Sequence, residues 1–190
     1  MSFNKGVFLD RDGVITEDPP HYAHRIDQLS IIPGSAKAIR LLNENGFRVI
    51  VISNQSGVAR GYYTEDDVNI FNNEMVSRLA ESGAHVDAIF YCPHHPEAKT
   101  LKYRQTCTCR KPHPGMLIEG SRKENIDFAL SFVVGDKWSD IEAGRAVGCR
   151  TVLVKTGHGL LELEAKKNPV DYIASDLLDA VQSFILSIQR

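Results

Sequence analysis

Six short apolar runs, at 6–9, 48–52, 88–91, 131–134, 150–154 and 171–173, punctuate this sequence at intervals far too wide for hairpins. They are apolar nearly throughout rather than alternating with polar residues, the pattern of strands covered on both faces. Most of the intervening stretches carry a helical period. Residues 35–45 place Ala36, Ala38, Ile39, Leu41 and Leu42 on that period and stop at Gly46, and residues 64–82 open on Thr-Glu-Asp-Asp and stop at Gly83. Shorter helices are expected at 114–124, 139–147, 160–167 and 175–187. Strand, helix, strand in this order demands crossover connections, so the chain is expected to form an α/β fold, a Rossmann-like three-layer sandwich around a mainly parallel sheet.

At 190 residues, with no linker, repeat or low-complexity tract, the chain reads as a single domain, 1–190. No run of about 18 apolar residues offers a membrane span. The formal charge is -2 and the basic residues are scattered, so neither a nucleic acid nor a membrane is an expected partner, and an anionic small molecule has to be captured locally. The N-terminus passes straight into the first strand with no leader pattern, which points to the cytoplasm. There, Cys92, Cys107, Cys109 and Cys149 suit metal binding or burial better than disulfides. No long amphipathic seam lacks an intramolecular role, so a monomer is expected.

Two segments, 10–33 and 92–112, exceed ordinary connection lengths, and such loops tend to carry function. The first begins Asp10-Arg11-Asp12-Gly13 directly after a buried strand, where ligands bind in open α/β sheets. The second strand ends in Ser53-Asn54-Gln55-Ser56-Gly57, a set of donors suited to phosphate oxygens. The fourth ends in Gly135-Asp136 with Asp140 shortly after, and Asp136 is able to share a hard cation with Asp10 if the two strands are neighbours. Arg110-Lys111 supplies positive charge for a dianion. Each element alone reads more simply: a solvated acidic turn, an ordinary turn, a helix start capped by Ser139 or Asp140, a surface pair.

Within the second long loop, Cys92-x-His94 and Cys107-x-Cys109 are separated by 12 residues. Four soft or borderline ligands in two pairs suit tetrahedral Zn2+ in a structural, closed site, a zinc-binding loop at 92–109, with buried thiols as the simpler reading and His95 as an alternative ligand. The remaining histidines, among them His21, His24 and His158, read as surface or loop residues.

In combination and in this order, strand-Asp-x-Asp, strand-Ser, Lys, strand-Gly-Asp-x-x-x-Asp, the motifs resemble the haloacid dehalogenase superfamily of phosphohydrolases. The resemblance implies that Asp10 is a nucleophile forming an aspartyl phosphate. It implies Mg2+ held by Asp10, the Asp12 backbone carbonyl and Asp136, and Asp12 as general acid and then base. Ser53, Lys111 and the backbone amides near Arg11 and Asn54 would clamp the phosphoryl group, and Asp140 would orient a metal water or Lys111. Val14 stands where the superfamily often has Thr. Finer motifs, Ser53-Asn54-Gln55-Ser56-Gly57-Val58-Ala59-Arg60-Gly61 and Tyr91-Cys92-Pro93-His94-His95-Pro96 among them, are similar to the heptose bisphosphate phosphatase family, with histidinol-phosphate phosphatases as nearest relatives. That implies a capless enzyme removing the 7-phosphate of D-glycero-D-manno-heptose 1,7-bisphosphate for surface polysaccharide synthesis. Arg110 would meet the second phosphate or sugar hydroxyls, Lys137 the phosphoryl end, and Asp18, Tyr22, Gln55 and Ser56 the sugar. A phosphotransferase and a zinc-stabilised binding module without turnover are the competing readings.

Overall fold

The computed structural model describes residues 3–19, 22–165 and 169–189. The six apolar runs form one sheet: β1 (Gly6–Leu9), β2 (Arg48–Asn54), β3 (Ala88–Cys92), β4 (Phe132–Gly135), β5 (Arg150–Val154) and β6 (Tyr172–Ala174). Their spatial order is β3-β2-β1-β4-β5-β6 and every pairing is parallel. Successive side chains of a strand point to opposite faces, and the core divides accordingly. Val7, Leu9, Val49, Val51 and Val134 face α1 (Ser35–Glu44), α3 (Glu65–Glu81) and the C-terminal helical segment, while Phe8, Ile50, Ile52 and Val133 face α4 (Gly115–Glu124) and α5 (Trp138–Ala146). The three layers are those the apolar pattern predicts.

Local chemistry fixes several boundaries. At α3 the Thr64 hydroxyl accepts from Asp67 N at 3.2 Å while Asp67 Oδ2 accepts from Thr64 N at 2.7 Å, a reciprocal cap. A five-residue helix, α2 (Ser56–Arg60), follows β2 directly where the sequence suggests only a turn. At α5 neither Ser139 nor Asp140 is the cap residue: Lys137 holds that position, and Asp140 accepts from its backbone N–H at 3.0 Å. The helix expected at 160–167 is described as α6 (Gly159–Ala165), its last two residues lying outside the described ones, as does His21. The stretch 175–187 begins as α7 (Leu177–Asp179) and widens into a π-helical run at Ala180–Ile185.

The two long connections carry little regular structure. Among the described residues the first holds a single 3-10 turn, Ile26–Gln28, and the second a single 3-10 turn, Leu101–Tyr103. The second is tied to α3 through Glu65, which accepts from the Tyr103 hydroxyl at 2.7 Å, Lys102 Nζ at 3.1 Å and the Tyr91 hydroxyl at 3.2 Å.

Candidate active site

From β1 the chain steps to β2 and β3 on one side, then returns to β4, β5 and β6 on the other. This switch point opens a crevice where neighbouring strands send their connections apart. Asp10 N donates to Val134 O at 3.0 Å, so Asp10 and Asp136 emerge side by side from adjacent strands. One carboxylate oxygen from each of Asp10, Asp136 and Asp140 lies within 4.8 Å of the others, and all three residues are buried.

Three crowded carboxylates repel one another. Burial, against the pull of Lys111, pushes Asp10 up to about 6; burial and the charge of Asp10 push Asp136 up to about 8. Asp136 Oδ2 accepts the His158 backbone N–H at 2.8 Å, but its buried Oδ1 has no donor among the described residues. An orphaned, buried carboxylate oxygen beside two further acids is the donor set of a hard divalent cation, so the residues present fit Mg2+. Two glycines keep the place clear. Gly13 at φ +83 and Gly157 at φ +57 flank Asp136, and a Cβ on either would come 2.3 Å from its Oδ2.

Lys111 enters from the opposite side. Its ammonium lies 2.9 Å from Asp10 Oδ1 and 2.7 Å from Asp140 Oδ1, and it donates to Ile52 O at 2.8 Å. Burial alone would push this ammonium down, but Asp10 and Asp140 reverse the direction, and Lys111 stays charged. Its peptide is clamped by Asn54, whose side-chain amide donates to Lys111 O at 3.0 Å and accepts from Lys111 N at 3.1 Å. Lys111 and Arg11 N, at 2.7 Å, both land on Asp10 Oδ1. Asp10 Oδ2 carries neither of these contacts.

Asp12 sits beside this centre and is gripped from behind. Arg11 Nε and Nη2 each donate to its carboxylate at 3.0 Å, Gln55 Nε2 donates at 2.9 Å, and Ser53 Oγ lies at 3.5 Å. The sequence reading put Gln55 on the sugar and an Arg11 amide on the phosphate. The Arg11 amide does face Asp10, but both side chains are buried against Asp12, because Gln55 caps α2 from inside the sheet edge and Arg11 turns under Asp12 onto α3.

A small pocket of about 60 Å³, bounded by Asp10, Asp12, Ser53, Lys111 and Asp140, lies over the carboxylates. It adjoins a wider cavity of about 670 Å³ with Asp18, Tyr22 and Ser56 on its wall and four cations, Arg60, Arg110, Lys111 and Lys137, around it. Asp18 Oδ2 receives Lys137 Nζ at 3.2 Å and His158 Nε2 at 3.1 Å. Arg60 and His158 were missed by sequence reasoning. His158 follows β5 at the same edge as the other site residues, a placement that strand-end logic was able to flag; Arg60 lies in the motif at 53–61 but was given no role of its own.

The loop at 92–109 closes on itself. Cys92, Cys107 and Cys109 are unbonded thiols whose Sγ atoms lie 3.0, 3.2 and 3.5 Å apart, and His94 Nδ1 is 3.4 Å from Cys109 Sγ and 3.7 Å from Cys92 Sγ. Ligands about 2.3 Å (S) and 2.0 Å (N) from one tetrahedral ion stand roughly 3.5–3.8 Å apart, so the cluster is close to the shape of a filled four-ligand site. His95 is not part of it; its Nδ1 accepts from Glu97 N at 3.1 Å. Cys149 is a buried core thiol.

Comparison with known proteins agrees with this arrangement. The HAD-hydrolase-like family model matches residues 108–180. The D-glycero-beta-D-manno-heptose-1,7-bisphosphate 7-phosphatase of Pasteurella multocida (strain Pm70) is 44% identical over 92% of this chain and 94% of its own length. The enzyme of the same name from Escherichia coli (strain K12) is 43% identical over 93% and 92%. This chain belongs to the heptose bisphosphate phosphatase family of the haloacid dehalogenase superfamily. Among solved structures, the D,D-heptose 1,7-bisphosphate phosphatase of B. bronchiseptica, in complex with magnesium and phosphate, superposes with a TM-score of 0.87 at 35% identity, over 96% of this chain and 99% of the other. Membership in the heptose bisphosphate phosphatase family makes the chain a phosphoric monoester hydrolase, acting on a small sugar phosphate. Among the described residues no helix is long and apolar enough to cross a membrane.

Proposed function

We propose that this chain hydrolyses the 7-phosphate of D-glycero-β-D-manno-heptose 1,7-bisphosphate through an aspartyl phosphate on Asp10. The observation that carries the reading is the Lys111 ammonium seated between Asp10 and Asp140, beside the orphaned oxygen of Asp136, at the small pocket over the carboxylates. The relatives' names supply the sugar and its β-anomer.

Asp10 Oδ2 attacks phosphorus, and the bond from phosphorus to the sugar oxygen breaks as Asp12 gives that oxygen its proton. Asp12, now a carboxylate, takes a proton from the water that attacks the aspartyl phosphate. The bond from phosphorus to Asp10 then breaks, releasing inorganic phosphate and restoring both residues. Lys111 neutralises charge on the transferring group, and Ser53 and the Arg11 amide line it. Mg2+, held by the Asp10 and Asp136 carboxylates and the Asp12 carbonyl, supplies Lewis-acid stabilisation of the phosphoryl oxygens. Arg110, with Arg60 beside it, suits the remaining phosphate at the far side of the wide cavity, and Asp18, Tyr22, Ser56 and Lys137 the sugar and its near end. The Cys92, His94, Cys107, Cys109 cluster holds a structural Zn2+, which fixes the loop delivering Arg110 and Lys111. Cysteines that serve as metal ligands or core thiols rather than in disulfides accord with the reducing cytoplasm.

Phosphate release with Mg2+ from both anomers of heptose 1,7-bisphosphate and from histidinol phosphate, with Asp10→Asn as blank, tests the reading. The β-anomer is expected to be fastest and the variant silent. Faster release from histidinol phosphate overturns the substrate, and an active Asp10→Asn overturns the nucleophile.

A further inference from the structure

Asp12 has to present one carboxyl oxygen to a leaving group in one half of the reaction and to a water in the other, and only a side chain held in place does both from one position. Its surroundings contain more polar contact than a surface aspartate requires. Gln55 Nε2 donates to Asp12 Oδ2 at 2.9 Å and to Ser53 Oγ at 2.7 Å, while Gln55 Oε1 accepts from the Tyr63 hydroxyl at 2.8 Å. A glutamine amide has a donor end and an acceptor end, and reversing it would set an acceptor against the Asp12 carboxylate. The Tyr63 hydroxyl, which donates to Oε1, removes that choice. The tyrosine is itself seated with care: a Cβ on Gly57 would come 2.1 Å from its ring, and His24 stacks on its other neighbourhood with ring centroids 4.9 Å apart. On the second side, Asn72 Oδ1 accepts from Arg11 Nη1 at 2.9 Å, and the Arg11 guanidinium lies 4.5 Å from the Phe71 ring centroid, which leaves Nε and Nη2 aimed at the two oxygens of Asp12.

We propose that Tyr63, through Gln55, and Asn72, through Arg11, are positioning residues that fix Asp12 for proton transfer. Neither Tyr63 nor Asn72 bounds the small pocket or the wide cavity, so neither acts on the substrate directly. The proposal rests on the reading of Asp12 as general acid and base.

Its consequence is selective. A sugar alkoxide needs a proton to leave, whereas p-nitrophenolate leaves without one, so poor aim at Asp12 slows formation of the aspartyl phosphate only for the first substrate; hydrolysis of that intermediate is common to both, and single-turnover release of the leaving group reads the first step alone. Tyr63→Phe keeps the ring beside Gly57 and removes the hydroxyl; Asn72→Ala releases Arg11 by a separate route. In each, the single-turnover rate of leaving-group release from heptose 1,7-bisphosphate is expected to fall on the order of tenfold with substrate affinity nearly unchanged, while that from p-nitrophenyl phosphate falls less than about twofold. Asp12→Asn, measured alongside, should show the same split more strongly. Equal losses on both substrates in the Tyr63 and Asn72 variants, or no loss on either, with the split present in Asp12→Asn, overturn the positioning role alone. Absence of any split in Asp12→Asn overturns the reading of Asp12 beneath it.

Discussion

Replacing Lys111 by Met removes a buried cation while keeping most of its stem, and the structure sets both the size and the pH dependence of the cost. Lys111 is 1% exposed and contacts Asp10 Oδ1 and Asp140 Oδ1 at 2.9 and 2.7 Å. Without it the two carboxylates lose their direct ion-pair partner among the described residues, leaving the more distant Lys137, and a buried, poorly paired charge escapes by binding a proton. Asp10 is already pushed up to about 6. At pH 8, forcing it to stay neutral spans about two further pH units, or about 3 kcal/mol, in line with the ~3–5 kcal/mol typical of removing one partner of a buried ion pair. At pH 5 Asp10 carries its proton in both proteins and that cost vanishes. For a chain of this size 3 kcal/mol corresponds to roughly 6–12 °C in Tm. Denaturant unfolding of both proteins in chelator should therefore give a stability gap of about 3 kcal/mol at pH 8 that shrinks to about 1 kcal/mol or less at pH 5. A gap independent of pH would refute the assignment of Lys111 as the counter-ion of Asp10, and a gap below about 1 kcal/mol at pH 8 would refute its burial as a charge.

The metal-free wild type should itself lose stability as pH rises. Asp10 and Asp136 titrate near 6 and 8 when folded and near 4 when unfolded, so the folded state binds more protons between those limits and stability falls across that window; thermal melts in chelator should drop from pH 5 to pH 8.5, and Mg2+ should restore more at the higher pH. Gly13→Ala, which puts a methyl 2.3 Å from Asp136 Oδ2 at a backbone angle unsuited to alanine, should lose Mg2+ binding by calorimetry and at least about 100-fold in kcat/KM. Cys107→Ser should lower the zinc content from one equivalent per chain, measured by elemental analysis, cost several kcal/mol in unfolding, and reduce kcat by loosening the segment that carries Lys111.

How much of this was legible beforehand depends on whether a residue's role follows from its place along the chain or from the direction of its side chain. Buried parallel strands leave continuous apolar runs, so β1 and β5 match their expected spans residue for residue, and the acids at strand ends follow from topology once β4 lies beside β1. Helix α2 was invisible because five residues hold too little periodicity to separate from a turn. Gln55 and Arg11 sit in the expected loops, yet their side chains turn inward, a choice made by α3 and Tyr63 from elsewhere in the sequence. Spacing alone left His94 and His95 as alternatives beside the cysteine cluster; the course of the loop places His94 with the three thiols and turns His95 toward Glu97. Arg60 reaches the cavity only because α2 carries it there.

The four cations around the wide cavity sit in a chain whose formal charge is -2, so the attraction felt by a doubly phosphorylated sugar is local and steep. The same field acts on what leaves. A sugar monophosphate and inorganic phosphate both depart as anions from the surroundings that drew the substrate in, and salt weakens the hold on all three alike. Capture at low substrate concentration and departure at saturation are therefore opposed ends of one electrostatic quantity, and the placement of Asp18 against Lys137 tempers it by giving one of the positive groups an occupant of its own when the cavity empties.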